Sequence, residues 1–482
     1  MIRHLFILIF LVHVSCGKSN SSKIVSTIVE ADHGIEWLPD RADIQAGAIM
    51  VPENHDDPDG KKIQITYVII KAKDTTSTEF PIIYFSGGPG GKQIDQIQHA
   101  IDFIMELPIR EKRDLILFDQ RGIGFSSALP DMSFGSFDIM AKDADEDEEL
   151  ELMTGLILDY KKRCEDRNIG LEFYNTHQNA RDVGTLFRHL GYEKYNLQGG
   201  SYGTRLGRVV QDFFPESINC SVLDSPAPMS SDFLIDRLDS YSLALSRIFD
   251  YCENNSDCKG EYPALKDEYF KAIATLTEAP LKVQMNDSVD VYINAQDGIY
   301  LLRRLLYQSN AREKAPELIR AYIEGGGEVI NDVLQAEYQL TGGLNLSMLW
   351  SVEKYEAFNP ENTGKVIEEH YKNYPLLPAK LGFFDAFYQA GANWHNANLA
   401  REERVFETSD IPTLILVNQF DPVTPPKNGH LFMEKLNNGQ LLILDEGGHG
   451  GGNRECKQQV IIDFINNPMD TLDTSCLNIY EG

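Results

Sequence analysis

Basic residues are scarce in this chain: 44 Lys and Arg stand against 73 Asp and Glu among 482 residues, a formal net charge of −29. That balance excludes the electrostatic footprint of a nucleic-acid binder and argues against an anionic membrane surface as partner. Long apolar runs are missing as well. The run Leu5 to Val12 is eight residues, far too short to span a bilayer. No unit repeats at a fixed period and no low-complexity tract occurs, so a solenoid or an array is not expected. None of the 7 cysteines has CxxC or Cys/His spacing, which leaves no zinc site in view. The acidic stretch "KDADEDEELELM", Lys142 to Met153, lacks the glycine that an EF-hand loop needs and reads as a solvated face or loop.

What is present begins at the N-terminus. Arg3, the short apolar run, and Ser15, Cys16 and Gly17 form an export signal over residues 1–16. Cys16 directly after the run is similar to a bacterial lipoprotein cleavage site, although His13 departs from its usual leucine. Lipid anchoring at Cys16 and ordinary signal cleavage are the two alternatives, and both place the protein in a bacterial cell envelope or periplasm, or outside the cell. Six cysteines remain, an even number that suits an oxidising compartment. Cys252 and Cys258 close a short polar loop, Cys456 and Cys476 bracket the last helix-like stretch, and Cys164 with Cys220 follow by elimination unless they are buried free thiols.

Past the signal, "AGAIMVPENHDDPDGKKIQITYVIIKA" alternates apolar residues around a turn, as a hairpin does. "PIIYFSGGPGG", "RDLILFDQRG" and "KYNLQGGSYG" are apolar runs that each end in a glycine-rich turn, with helical stretches between them. Such alternation predicts βαβ units and a parallel sheet whose binding crevice lies at the strand C-termini. From residue 231 to 407 the pattern turns helical: Leu234, Leu238, Tyr241, Leu245, Ile248 and Cys252 mark one helix face. Strand patterns resume at "PTLILVNQFD" and "QLLILDEGGHG". The fold class expected is therefore α/β, with core segments 24–230 and 408–482 split by a helical cap at 231–407.

Three residues carry the candidate chemistry. Ser201 sits in Gly199-Gly200-Ser201-Tyr202-Gly203, a G-x-S-x-G turn between a strand and a helix, where flanking glycines are a steric requirement. A serine needs a base and an orienting acid to act as a nucleophile at neutral pH. His449 and Asp421 each follow an apolar strand, and the chain order Ser, Asp, His is that of the α/β-hydrolases. Asp224, at the end of another strand, is the rival acid. The backbone N–H groups of Tyr202 and of Gly88, in "SGGPGG", are the candidate oxyanion donors, with Gly87 beside the substrate. No Walker lysine-serine pair follows that loop, so it does not read as a phosphate cradle.

"GGPGG", "FDQRGIGFSS", "GGSYGT", "DPVTP" and "GHG" together resemble the proline iminopeptidase and tripeptidyl aminopeptidase group of serine exopeptidases, within the α/β-hydrolase superfamily. The likeness runs from about Ala46 to the C-terminal cysteine segment, with Ser86 where many iminopeptidases have histidine. The resemblance implies an α/β-hydrolase fold with a mostly parallel sheet, a helical cap, an acyl-enzyme mechanism without metal or organic cofactor, and peptide substrates with a free N-terminus. It also implies an anionic group in the cap for the substrate ammonium. The stretch "SMLWSVEKYEAF" nominates Glu356 as that clamp, while Trp394 either walls the pocket or fills the cap core. Asp119, Gln120, Arg121 and Gly122 match the group's "DQRG" loop and read as support beside the site. A carboxylesterase or lipase with the same triad, and an inactive binding protein on this scaffold, are the rival functions.

Overall fold

The apolar strands of the core alternate their side chains between two covered faces, which a sheet buried on both sides requires. A computed structural model describes residues 29–229, 232–285, 289–445 and 447–480. The export signal and Cys16 lie outside the described residues. The strands are β1 (Glu30–Ala31), β2 (Ile44–Pro52), β3 (Lys62–Ile70), β4 (Ile82–Phe85), β5 (Leu115–Phe118), β6 (Tyr195–Gly200), β7 (Ile218–Asp224), β8 (Leu281–Met285), β9 (Val289–Ile293), β10 (Thr413–Asn418) and β11 (Gly439–Leu444). Nine of them form one sheet in the order β1-β2-β3-β5-β4-β6-β7-β10-β11. β2 and β3 are the expected hairpin, paired from Ile44↔Ile70 to Pro52↔Lys62. From β5 through β4, β6, β7 and β10 to β11 every pairing is parallel.

Adjacent residues show the two faces directly. Ile83, Leu197, Ile415 and Val417 pack with the helices Thr176–Leu190 and Tyr202–Phe213. Ile82, Val222, Leu414 and Leu416 pack on the opposite face with the helices Gln93–Met105 and Arg454–Asn466. Both layers exclude water from the strands and hold the strand C-termini in a fixed row.

A separate hydrophobic cluster roofs that row. The helix Phe233–Asn254 contributes Leu234, Leu238, Tyr241, Leu245, Ile248 and Cys252, the face read from the spacing. The roof also holds a two-stranded sheet, β8 with β9, that the helical pattern did not announce. Phe137, Met153, Ile157 and Cys164 join the same cluster from the helices Ser133–Met140 and Glu146–Asp166. The acidic stretch there is thus a helix start and not a loop: Asp145 caps it, and Glu146, Asp147, Glu148 and Glu149 occupy its first turn, where the helix dipole favours negative charge.

Cys252 pairs with Cys258 and Cys456 with Cys476. Cys164 and Cys220 are buried free thiols, which corrects the pairing by elimination. They belong to different cores, Cys164 to the roof and Cys220 to the sheet face, and the Cys220 thiol donates to Asn196 Oδ1 at 3.1 Å.

Candidate active site

The turn after β6 forces Ser201 into φ 53°, ψ −123°, a conformation rare for a residue with a side chain. It persists because the surroundings leave no alternative. A Cβ on Gly199 would lie 2.5 Å from the Gly203 carbonyl oxygen, and one on Gly203 would lie 2.0 Å from the Phe85 carbonyl oxygen. Both glycines are therefore required by close approach, and the serine hydroxyl stands above the sheet. The Ser201 N–H is held by the Asp224 carbonyl at 2.9 Å.

His449 Nε2 lies 2.9 Å from Ser201 Oγ, and His449 Nδ1 lies 2.8 Å from Asp421 Oδ2. Asp421 accepts further hydrogen bonds from the N–H groups of Val423 and Thr424, both at 2.8 Å, and from the Thr424 hydroxyl at 2.7 Å. Burial pushes its carboxyl up, but His449 and these donors together hold it below the usual carboxylate range. For His449, burial pulls the pKa down and the Asp421 carboxylate more than offsets it, so the imidazole is raised above its ordinary value. The rival acid Asp224 is engaged elsewhere, with Lys457 Nζ at 2.7 Å. Gly448 donates to the Gln308 carbonyl at 3.0 Å and Gly450 to the Ser225 hydroxyl at 3.1 Å, so the histidine loop is pinned to both roof and core.

Gly87 and Gly88 line the cavity with Ser201 and His449, and Tyr202 opens the helix after the serine, where its N–H has no intrahelical acceptor. The Tyr202 side chain is buried, its hydroxyl 3.0 Å from Thr176 Oγ1. The "DQRG" residues brace this arrangement. Asp119 accepts the N–H groups of Gln93 and Ile94 at 2.9 and 3.0 Å, Gln120 donates to the Ser86 carbonyl at 3.0 Å, and Arg121 makes two 2.7 Å bonds to Asp182.

The cavity over Ser201 has a volume of about 350 Å³, and its roof includes Phe137, Leu344, Leu349, Phe383 and Phe387. Glu356 and Trp394 are not among its lining residues. Glu356 is fully buried and its carboxylate is already occupied, by the Thr176 N–H at 2.7 Å, the Thr176 hydroxyl at 2.9 Å and Arg205 at 3.0 Å. It is a structural anchor here, which corrects its assignment as the amine clamp. Trp394 fills the roof core, with its indole N–H on Ser351 Oγ at 2.8 Å. Among the described residues the one carboxylate lining the cavity is Glu337, on the helix Glu328–Gly343. Sequence reasoning missed Glu337, as well as the arginines 237, 303 and 304 beside it. The doublet Arg303-Arg304 inside the apolar stretch "DGIYLLRRLLYQ" was the available signal, since charge in a buried helix asks for a partner. The described residues hold no cluster suited to a metal ion, and no described helix is long and apolar enough to cross a membrane.

Residues 81–261 match the protein family described as alpha/beta hydrolase fold, and residues 384–476 match the one described as TAP-like protein. A tripeptidyl aminopeptidase of Streptomyces lividans is 30% identical over 212 residues, 41% of this chain and 39% of that one. The chain thus matches about two fifths of the length of that relative. The serine protease Hip1 of Mycobacterium tuberculosis is 23% identical over 448 residues, covering 85% of this chain and 84% of that one. Among solved structures, the proline iminopeptidase of Mycobacterium smegmatis aligns over 88% of this chain and 98% of its own, with 14% identity and a TM-score of 0.38.

Proposed function

This chain belongs to the α/β-hydrolase superfamily, and from that premise we propose that it is an exported serine aminopeptidase, removing residues from peptide N-termini through an acyl-enzyme. The observation that carries the reading is the hydrogen-bonded row Ser201–His449–Asp421 opening into a roofed cavity. Ser201 attacks the scissile carbonyl while His449 takes its proton, and Asp421 holds the imidazole in the tautomer that accepts it. The N–H groups of Gly88 and Tyr202 receive the oxyanion. His449 then protonates the leaving amine and activates the water that frees the acyl group. A cavity of about 350 Å³ is at the small end of ligand sites, so it suits a peptide end better than a chain passing through.

Glu337 replaces Glu356 as the residue assigned to the substrate ammonium, because an unpaired buried ammonium is costly and Glu337, although it also binds Arg304 and the Tyr300 hydroxyl, lines the cavity where Glu356 does not. Export is supported by the two disulfides and by the N-terminal sequence, with Cys16 as the candidate lipid anchor. A carboxylesterase is the second reading, favoured by the aromatic and aliphatic roof.

The test is a panel of free-amine aminoacyl and tripeptidyl amides beside short acyl esters, with fluorophosphonate labelling of the wild type and of Ser201→Ala. Labelling that depends on Ser201, with turnover of at least one free-amine amide, is the expected result. Ester cleavage with no amide turned over would sink the peptidase reading, and folded wild-type protein that takes no label would sink the hydrolase itself.

A further inference from the structure

The cavity over Ser201 carries more positive charge than its walls neutralise. Arg237, Arg303 and Arg304 line it, against Glu337. Arg304 Nε sits 2.5 Å from Glu337 Oε2, and the Tyr300 hydroxyl donates to the other oxygen at 2.6 Å, so that carboxylate is already shared. Among the described residues neither Arg237 nor Arg303 forms an ion pair with a carboxylate. Glu353, whose field reaches Arg237, stands instead 3.6 Å from Arg205.

Both guanidinium groups are held by aromatic faces. The Arg237 guanidinium carbon is 3.3 Å from the centre of the Phe233 ring, and that of Arg303 is 5.1 Å from the Phe384 ring. Stacking occupies the flat face of a guanidinium and leaves its N–H edges for a planar acceptor. Those edges are poorly used within the protein. Arg303 is 1% exposed, and among the described residues its Nε is unpartnered and its one side-chain hydrogen bond goes to the Tyr307 hydroxyl at 3.5 Å. Among the described residues the Arg237 guanidinium reaches one acceptor, the Phe233 carbonyl, at 3.4 Å.

Tyr307 reports the resulting potential. Burial pushes its phenol up, yet Arg303, Arg304, His449 and Arg237 together pull it down to about 8. Its ring is 5.1 Å from that of His449, so this positive field lies beside the reacting groups. A guanidinium keeps its charge at neutral pH, and a buried one without a partner is costly. The N–H edges of Arg237 and Arg303 are thus open to a planar anion entering the cavity.

We propose that Arg237 and Arg303 form an anion subsite that holds a substrate carboxylate, supplied by an acidic side chain of the N-terminal residue that is transferred to Ser201. The substrate ammonium faces Glu337 and the side-chain carboxylate faces the two arginines, so the wall charges and substrate charges alternate. The scissile amide in this statement rests on the peptidase reading above, whereas the charge preference does not. A free α-carboxylate of a short peptide is the other source of the same chemistry.

The experiment measures kcat/KM on the full folded chain for free-amine Glu, Gln and Lys nitroanilides and for the matching esters. Neutral dipeptides with free and with amidated C-termini form a second arm. Ratios are taken within one preparation, so partial unfolding lowers both members and leaves each ratio intact. We expect Glu over Gln by about ten- to hundredfold, the range of hydrogen bonds to a charged partner. That ratio falls toward one in Arg237→Gln and in Arg303→Gln, and Arg237→Lys retains part of it. A wild-type ratio near one in amides and esters alike overturns the subsite, as does a ratio that neither arginine substitution moves. A preference confined to dipeptides with a free C-terminus overturns the side-chain assignment and places the carboxylate on the leaving peptide. Ester turnover with a high Glu-to-Gln ratio and no amide turnover sustains the subsite while the peptidase reading fails.

Discussion

Arg205 and Glu356 form an ion pair of 3.0 Å with both side chains buried, and neither residue lines the cavity above Ser201. Arg205 lies on the helix that begins after the serine, and Glu356 ends the roof helix Leu346–Glu356, so the pair ties roof to core. Removing one partner of a buried pair leaves the other charge uncompensated, at a cost of about 3–5 kcal/mol. Glu356→Ala is expected to lower the urea midpoint accordingly and to reduce amide and ester turnover in equal proportion. A rise in KM confined to free-amine substrates would restore Glu356 as the amine clamp.

In the proposed mechanism Asp421 acts through His449, whose Nδ1 lies 2.8 Å from its carboxylate. Asp421→Asn keeps the volume and loses the charge, so the imidazole adopts the wrong tautomer, which in a comparable triad costs about 10⁴ in kcat. Substrate binding is expected to change little, placing the loss in kcat and not in KM. The pH profile separates this from misfolding. Only neutral His449 can take the serine proton, and its pKa is raised by Asp421 above the ordinary 6.5. Activity in the wild type therefore climbs with pH along an acid limb above that value, and the limb of Asp421→Asn moves down. A limb that stays in place would mean Asp421 does not set the histidine.

Gly203 is a test of the turn itself. An added methyl group would sit 2.0 Å from the Phe85 carbonyl oxygen, which belongs to a central strand and cannot yield cheaply. Gly203→Ala is expected to cost at least about 1–3 kcal/mol, the range for overpacking, and to abolish fluorophosphonate labelling even where folded protein is recovered. Normal labelling would show that the turn is not sterically closed.

The two disulfides differ in what they contribute. Cys456–Cys476 spans 20 residues and Cys252–Cys258 spans 6. Loop-closure entropy assigns about 3 kcal/mol to the first and about 2 kcal/mol to the second. Cys456→Ser with Cys476→Ser should shift the denaturation midpoint more than the equivalent double change at 252 and 258. Cys164 and Cys220, both buried, should react with a thiol reagent only after unfolding, and prompt reaction of either in native protein would contradict its burial.

The core and the hydrogen-bonded row Ser201–His449–Asp421 were legible in the linear chain because their signals are local. A buried parallel strand is a short apolar run, and the turn after it must carry glycine wherever another backbone comes within contact, as at Gly199 and Gly203. Ser201, Asp421 and His449 each follow such a run, so order and position sufficed to nominate them. The roof is another matter. Helical periodicity reported that the face from Leu234 to Cys252 is buried, and it could not say against what. Glu356 and Glu337 sit on similar amphipathic helices, and only packing put one against Arg205 and the other above Ser201. The contribution of the 133–166 helices to the roof, and the separation of Cys164 from Cys220, depend in the same way on contacts between distant segments. Charge and spacing along a chain identify which residues can do chemistry. Which of them share one cavity, and which arginines there pair with no carboxylate among the described residues, is set by side-chain packing across the fold.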